Sequence, residues 1–235
     1  MRVAAIIAAA GVGLRMQSQV AKPYLLLAGK PILAHTLEVF ENVREVQEVT
    51  VVAHPDDLEY CREEVIARYG FKKVLRLVPG GKERQDSVYH ALKALKQEDG
   101  LDIILVHDGV RPFVHPEQIR RVIKGARSHG GAILGVPAQD TLKRVNPQGK
   151  VIHTLDRKDI WQIQTPQGFQ LDLLWRAFIE AYSRNFYGTD EASLLEEMGH
   201  QVAVIPGDLR NLKITTPEDL QMAEALLPWL RSRET

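Results

Sequence analysis

Ile103-Ile104-Leu105-Val106 places four large aliphatic residues in a row with no polar position between them. A strand with one wet face alternates apolar and polar residues, so a continuous run needs apolar cover on both faces. Similar runs lie near Val3–Ala8, Val49–Ala53, Val74–Val78 and Ala132–Val136. Amphipathic stretches near Ile32–Asn42, Asp56–Tyr69, Asp86–Lys96 and Pro116–His129 fall between them. That alternation predicts a three-layer, doubly wound α/β fold on a mostly parallel sheet. Ligands of such folds bind beyond the carboxyl ends of the strands.

A chain of 235 residues can bury one large core, and we expect a single domain over residues 1–235. After Val136 the pattern changes. TLKRVNPQGKVIHTL alternates apolar and polar residues on both sides of Asn146-Pro147-Gln148-Gly149, which is a hairpin signal with Pro and Gly supplying the turn. Residues 138–157 then form an arm with no home in the parallel sheet. It is either a surface flap or, since a lone two-stranded hairpin is marginal in water, a dimerisation arm; we favour the homodimer. The chain returns to the core with a strand near Ile160–Gln164 and a helix near Leu171–Arg184. Thr189-Asp190-Glu191 starts another helix, Val202–Ile205 is a strand, and the last helix opens at Thr216-Pro217.

The formal net charge is zero, so no global basic field draws the chain to nucleic acid or a membrane surface. Any anion must be held by local groups. The single cysteine, Cys61, can make no intrachain disulfide and belongs to no zinc-like cluster, which favours a reducing, cytoplasmic setting. The opening MRVAAIIAAAGVGLRM has some features of a signal peptide, but its apolar run is short, and a glycine turn with two cations follows instead of a polar start. We expect a buried strand there.

Gly11-Val12-Gly13 sits at the carboxyl end of that first strand, where glycines let backbone N–H groups approach an anion. The dinucleotide fingerprint is incomplete, because Met16 stands where its third glycine belongs and the second strand ends Ala53-His54-Pro55 without a ribose-binding acid. Walker A is absent too. Arg15 and Lys22 share the loop and are either anion ligands or solvated surface residues. In VHDGVRP, Asp108 just past a buried strand could hold a divalent metal, accept from a hydroxyl, or pair with Arg111. PGGKERQDS, with Gly81, Arg84 and Ser87, is either a nucleotide loop or a turn and helix cap. Arg157, Thr165, Thr189 and Lys213 fall at element ends, and spacing alone singles out none of them.

AAAGVGLRM with Lys22, PGGKERQDS, VHDGVRP, DTLKR, DRKDIWQIQTPQGF, TDEAS and NLKITTPEDL occur in order over nearly the whole chain. Together they resemble the 2-C-methyl-D-erythritol 4-phosphate cytidylyltransferases of the non-mevalonate isoprenoid pathway. The resemblance implies a Mg²⁺-dependent enzyme that joins CTP to methylerythritol phosphate, with release of pyrophosphate. Ala9, Ala10, Gly11, Gly13, Arg15 and Lys22 would cradle the triphosphate, and Gly81, Arg84 and Ser87 would enclose the nucleoside. Asp108, Arg111, Thr165, Thr189 and Lys213 would surround the polyol phosphate. Thr141 and Arg157, on and beside the arm, would reach the substrate of a partner subunit. Three positions depart from the family pattern: Pro23 after the lysine, Gly109-Val110 for a common Ala-Ala, and Lys82 for a frequent acid.

The chemistry suits this residue set. A phosphomonoester's second pKa is about 6, so the attacking phosphate is already largely ionised and needs no strong base. Bringing two polyanions together does need cations. Arg15 and Lys22 are assigned to the α-phosphate and leaving pyrophosphate, and Lys213 to the attacking phosphate. Asp108 positions either hydroxyls or metal, which otherwise rides on the CTP phosphates. The rivals are a cytidylyltransferase for another polyol phosphate such as ribitol 5-phosphate, a nicotinamide-dependent oxidoreductase, and a non-catalytic nucleotide-binding module.

Overall fold

A computed structural model describes residues 1–11 and 20–231. β1 (Arg2–Ala9) comes first, and a 3-10 turn over Lys22–Tyr24 precedes the small ribbon β2 (Leu26–Leu27) and β3 (Lys30–Pro31). Then follow α1 (Ile32–Asn42), β4 (Glu48–Ala53), α2 (Leu58–Tyr60), β5 (Val74–Pro79), α3 (Arg84–Leu95), β6 (Leu101–Asp108), α4 (Pro116–His129) and β7 (Gly131–Pro137). The hairpin strands are β8 (Lys143–Val145) and β9 (Val151–Thr154). After them come β10 (Trp161–Gln170), α5 (Leu171–Ser183), α6 (Glu191–Glu197), β11 (Ala203–Pro206) and α7 (Pro217–Arg231).

The central sheet has strand order β11-β7-β10-β6-β1-β4-β5. Its pairs are parallel except for β10, which runs antiparallel between β6 and β7. Both faces are covered, as the aliphatic runs require. Val3, Ala5 and Ile7 of β1, with Ile103 and Leu105 of β6, join one buried cluster containing residues of α1 and α4. Ala4 and Ile6, with Ile104 and Val106, join the opposite cluster containing residues of α3, α5 and α6. Each fully buried Ile or Leu contributes about 1.5–3 kcal/mol, so successive residues of one strand hold the two helical layers together.

Two expectations need correction. The strand placed at Ile160–Gln164 runs on to Gln170. Its pairing with β7 breaks between Gln164 and Gln167 and then resumes, and Pro166, which has no N–H for a ladder, falls inside that break. The helix read over Asp56–Tyr69 is a 3-10 turn at Pro55–Asp57, then α2, then a π-helical stretch at Cys61–Ala67. The helix start read at Thr189-Asp190-Glu191 is that of α6, capped by Asp190, whose carboxylate accepts from the Ser193 N–H at 3.0 Å.

The hairpin is found where the alternation puts it, as a separate two-stranded sheet. Asn146 closes the turn, its Oδ1 accepting from the Gln148 and Lys150 N–H groups, and Gly149 takes a positive φ of 75°. Every residue of β8 and β9 is exposed, and Val145, Val151 and Ile152 are each more than half exposed.

Candidate functional site

The chain winds outward from β1 through β4 and β5, then returns to β6 on the other side of β1. The carboxyl end of β1 is therefore a topological switch point, and a cavity of about 580 Å³ opens there. Ala9, Ala10, Gly11, Lys22, Gly81, Arg84 and Ser87 all line it. Gly13 and Arg15 lie outside the described residues. Gly80 lets the loop after β5 close on β1: a Cβ there would stand 2.4 Å from the Ala10 Cβ and 3.4 Å from the Ala53 carbonyl oxygen. The Ser87 hydroxyl accepts from the Gly81 N–H at 3.0 Å and donates to the Glu83 carbonyl at 3.0 Å. Ser87 thus shapes this loop from within. The three departures lie nearby: Pro23, Lys82 and Val110 line the cavity, and Gly109 donates its N–H to the Ala8 carbonyl at 2.9 Å.

A second cavity of about 240 Å³ adjoins the first and is lined by Asp108, Arg111, Thr165, Thr189 and Lys213, among others. Arg84, Asp108 and Lys213 border both. Arg84 accordingly stands at the junction and not on the nucleotide side alone. Thr141 and Arg157 are exposed and line neither cavity.

Asp108 organises the junction. Lys213 Nζ lies 3.0 Å from its carboxylate, Arg111 Nε 3.2 Å and Arg84 Nε 3.7 Å. Burial by itself would push the Asp108 carboxyl up, but Lys213, Arg84 and Arg111 outweigh it and hold the group well below the usual carboxylate range. Glu191 takes the Arg84 guanidinium in a two-pronged pair at 2.7 and 3.0 Å and raises its pKa further. Three cations, Arg84, Arg111 and Lys213, meet three carboxylates, Asp108, Glu191 and Asp190, the last lining the second cavity, so the formal charges at the junction balance, and Lys22 lines the larger cavity. An anion can still be met by Lys213, whose side chain is 41% exposed, and by Lys22.

The arrangement does not fit a divalent metal held by Asp108. A cation there would displace three others, and no group of three or more His, Cys, Asp or Glu among the described residues is placed to hold a metal.

Spacing did not reveal the side chains that place these groups. Asn211 is fully buried; its backbone carbonyl accepts from Arg111 at 2.8 Å and its side-chain amide donates to the Thr165 carbonyl at 2.8 Å. The Ile214 N–H donates to the Val110 carbonyl at 3.0 Å, which brings Lys213 beside Asp108. Gln85 donates to the Phe186 carbonyl at 3.1 Å and accepts from the Gly188 N–H at 2.9 Å, clamping the segment that carries Thr189. A signal existed for two of them. Gln85 shares the stripe of Val88, Leu92 and Leu95 on α3, and Glu191 shares that of Leu194 and Leu195 on α6, so each is a polar residue on an apolar face.

Asp108→Asn should lower stability by about 3 kcal/mol, near the low end for breaking a buried ion pair, because Lys213 can turn to water while Arg111 stays buried. Urea unfolding measures this, and a loss under about 1 kcal/mol would mean that the cations repel one another little.

Comparison with known proteins adds an independent line. The family model for 2-C-methyl-D-erythritol 4-phosphate cytidylyltransferase matches residues 3–228. A protein of that name from Geotalea uraniireducens is 48% identical over 232 residues, 99% of each chain. A crystal structure of 4-diphosphocytidyl-2C-methyl-D-erythritol synthase from Anaerococcus prevotii superposes with a TM-score of 0.84 at 33% identity, covering 97% of this chain and 96% of that one. The crystal structure of the Francisella tularensis 2-C-methyl-D-erythritol 4-phosphate cytidylyltransferase gives a TM-score of 0.82 at 33% identity, covering 96% and 99%.

Proposed function

The chain belongs to the 2-C-methyl-D-erythritol 4-phosphate cytidylyltransferase family, and from that premise we infer how its own residues carry the cytidylyl group of CTP to 2-C-methyl-D-erythritol 4-phosphate. The products are 4-CDP-2-C-methyl-D-erythritol and pyrophosphate. One observation supports the division of labour: two adjoining cavities share Lys213, Arg84 and Asp108. CTP occupies the larger, its triphosphate against Ala9–Gly11, Arg15 and Lys22, with its nucleoside toward Gly81. The polyol phosphate occupies the smaller, among Asp108, Arg111, Thr165 and Thr189.

The attacking phosphate oxygen forms a bond to the α-phosphorus. On the opposite side the bridging oxygen leaves with its electron pair as part of pyrophosphate. The phosphate is already largely ionised at neutral pH, and no base is assigned. Lys213 holds it and screens it from the α-phosphate. Lys22 and Arg15 stabilise the charge that builds on the departing side. A divalent cation such as Mg²⁺, when bound, neutralises triphosphate charge; given the cations around Asp108 we place it on the CTP oxygens. No helix among the described residues is long and apolar enough to cross a membrane, and the lone buried thiol of Cys61 suits a reducing, cytoplasmic setting.

The exposed apolar side chains of the hairpin support the further reading of a homodimer. The arm then brings Thr141 and Arg157 to the polyol-phosphate cavity of the other subunit. Lys22→Ala and Arg157→Ala chains should each be inactive alone. Mixed in equal amounts and allowed to exchange subunits, they should recover about a quarter of wild-type activity, because half the dimers are mixed and each mixed dimer holds one intact site. No recovery after verified exchange would place Arg157 in its own chain's site or outside the reaction.

A further inference from the structure

Behind the polyol-phosphate cavity lies a histidine that the transfer does not use. His107 is fully buried on β6, next to Asp108. Its Nε2 lies 3.1 Å from the Arg111 carbonyl oxygen. A carbonyl only accepts, so Nε2 carries the proton. Its Nδ1 lies 3.0 Å from the Thr165 hydroxyl. With Nδ1 bare, the hydroxyl donates to it. The same hydroxyl oxygen accepts from the Asp108 N–H at 3.0 Å. Thr165 borders the cavity with its one proton and one of its two lone pairs already engaged.

We propose that His107 is a positioning residue that makes Thr165 a one-way acceptor, so that Thr165 reads a hydroxyl of the polyol and turns away its phosphate. The inference rests on assigning the second cavity to the polyol phosphate. A phosphate oxygen set against Thr165 would oppose lone pair to lone pair, whereas a substrate hydroxyl donates into the one that remains. The phosphate is directed instead to Lys213 and Arg111.

The surroundings keep the imidazole neutral. Burial pushes its pKa down to about 4; the Asp108 carboxylate favours the charged ring, while Arg111 and Lys213 oppose it. From α1 the ring meets apolar Phe40, with centroids 5.0 Å apart. A protonated ring would donate from both nitrogens, turn the Thr165 hydroxyl outward and reverse what it selects.

Two measurements test this. Long-range ¹H–¹⁵N spectra of the full-length wild-type protein at neutral pH should show His107 protonated at Nε2 and bare at Nδ1. A proton on Nδ1, or two tautomers in exchange, overturns the proposal without touching the assignment of the cavity. Thr165→Val should raise KM for the polyol phosphate about tenfold, somewhat more than the usual worth of one hydrogen bond, with KM for CTP unchanged. Thr165→Ser should restore KM to within about twofold. His107→Phe frees the hydroxyl to rotate and donate, and it should lose the wild-type discrimination against an analogue carrying a methoxy or carbonyl acceptor in place of the hydroxyl that Thr165 reads; unchanged discrimination overturns the proposal. If Thr165→Val leaves the polyol KM unchanged, the proposal fails. If it raises KM for CTP alone while His107 shows the expected tautomer, the cavity assignment is what fails, and the proposal falls with it.

Discussion

Lys213→Met is expected to lower kcat about 10²–10³-fold, the cost of deleting one preorganised charge stabiliser, while changing stability by less than about 1 kcal/mol. Lys213 borders both cavities, and Asp108 holds its ammonium at 3.0 Å. Reaction needs the attacking oxygen and the α-phosphorus about 3–3.5 Å apart. Two unit charges about 4 Å apart repel by about 4 kcal/mol at an effective dielectric near 20, and a 10²–10³-fold loss corresponds to about 2.7–4 kcal/mol. One cation between the reactants is therefore large enough to decide the rate. The stability side follows from exposure: the Lys213 side chain is 41% exposed, and losing it leaves Asp108 still paired with Arg111 and Arg84. Pyrophosphate release and urea unfolding measure the two halves. A kcat within about threefold of wild type would remove Lys213 from the transition state.

The same junction shows what the sequence could and could not reveal. Ile103 to Val106 announced burial on both faces, and the parallel core with its ligand rim followed from that one property. Glycines and cations at strand ends could be read as anion-site candidates, because the fold class says where strand ends gather. The pair Arg84–Glu191 could not, since it joins residues 107 apart, and local spacing carries no information about such partners. His107 was hidden for a different reason. It occupies an inward position of a core strand, where an apolar residue is the ordinary choice, and only the three-dimensional meeting with Thr165 and the Arg111 carbonyl shows why an imidazole serves there. The antiparallel course of β10 was hidden as well, because it depends on the space left between β6 and β7 and not on anything within its own segment.

Lys22→Ala is the other change with a large expected effect, lowering kcat about 10²–10³-fold, and its pattern should differ from that of Lys213. Lys22 opens the 3-10 turn that runs to Tyr24, and Pro23 and Tyr24 are both buried. Pro23 fixes its own φ, so the backbone that carries Lys22 is anchored to the core and little entropy is lost in aiming its ammonium at the nucleotide cavity. Lys22 borders that cavity and not the polyol-phosphate one. Its loss should leave KM for the polyol phosphate unchanged, and should weaken product inhibition by pyrophosphate about tenfold, as expected for one missing charged contact. Lys213→Met should instead spare pyrophosphate inhibition, because that cation is assigned to the attacking phosphate. If both variants lose pyrophosphate affinity equally, the two lysines act on the same phosphate and the division between an attacking side and a leaving side collapses.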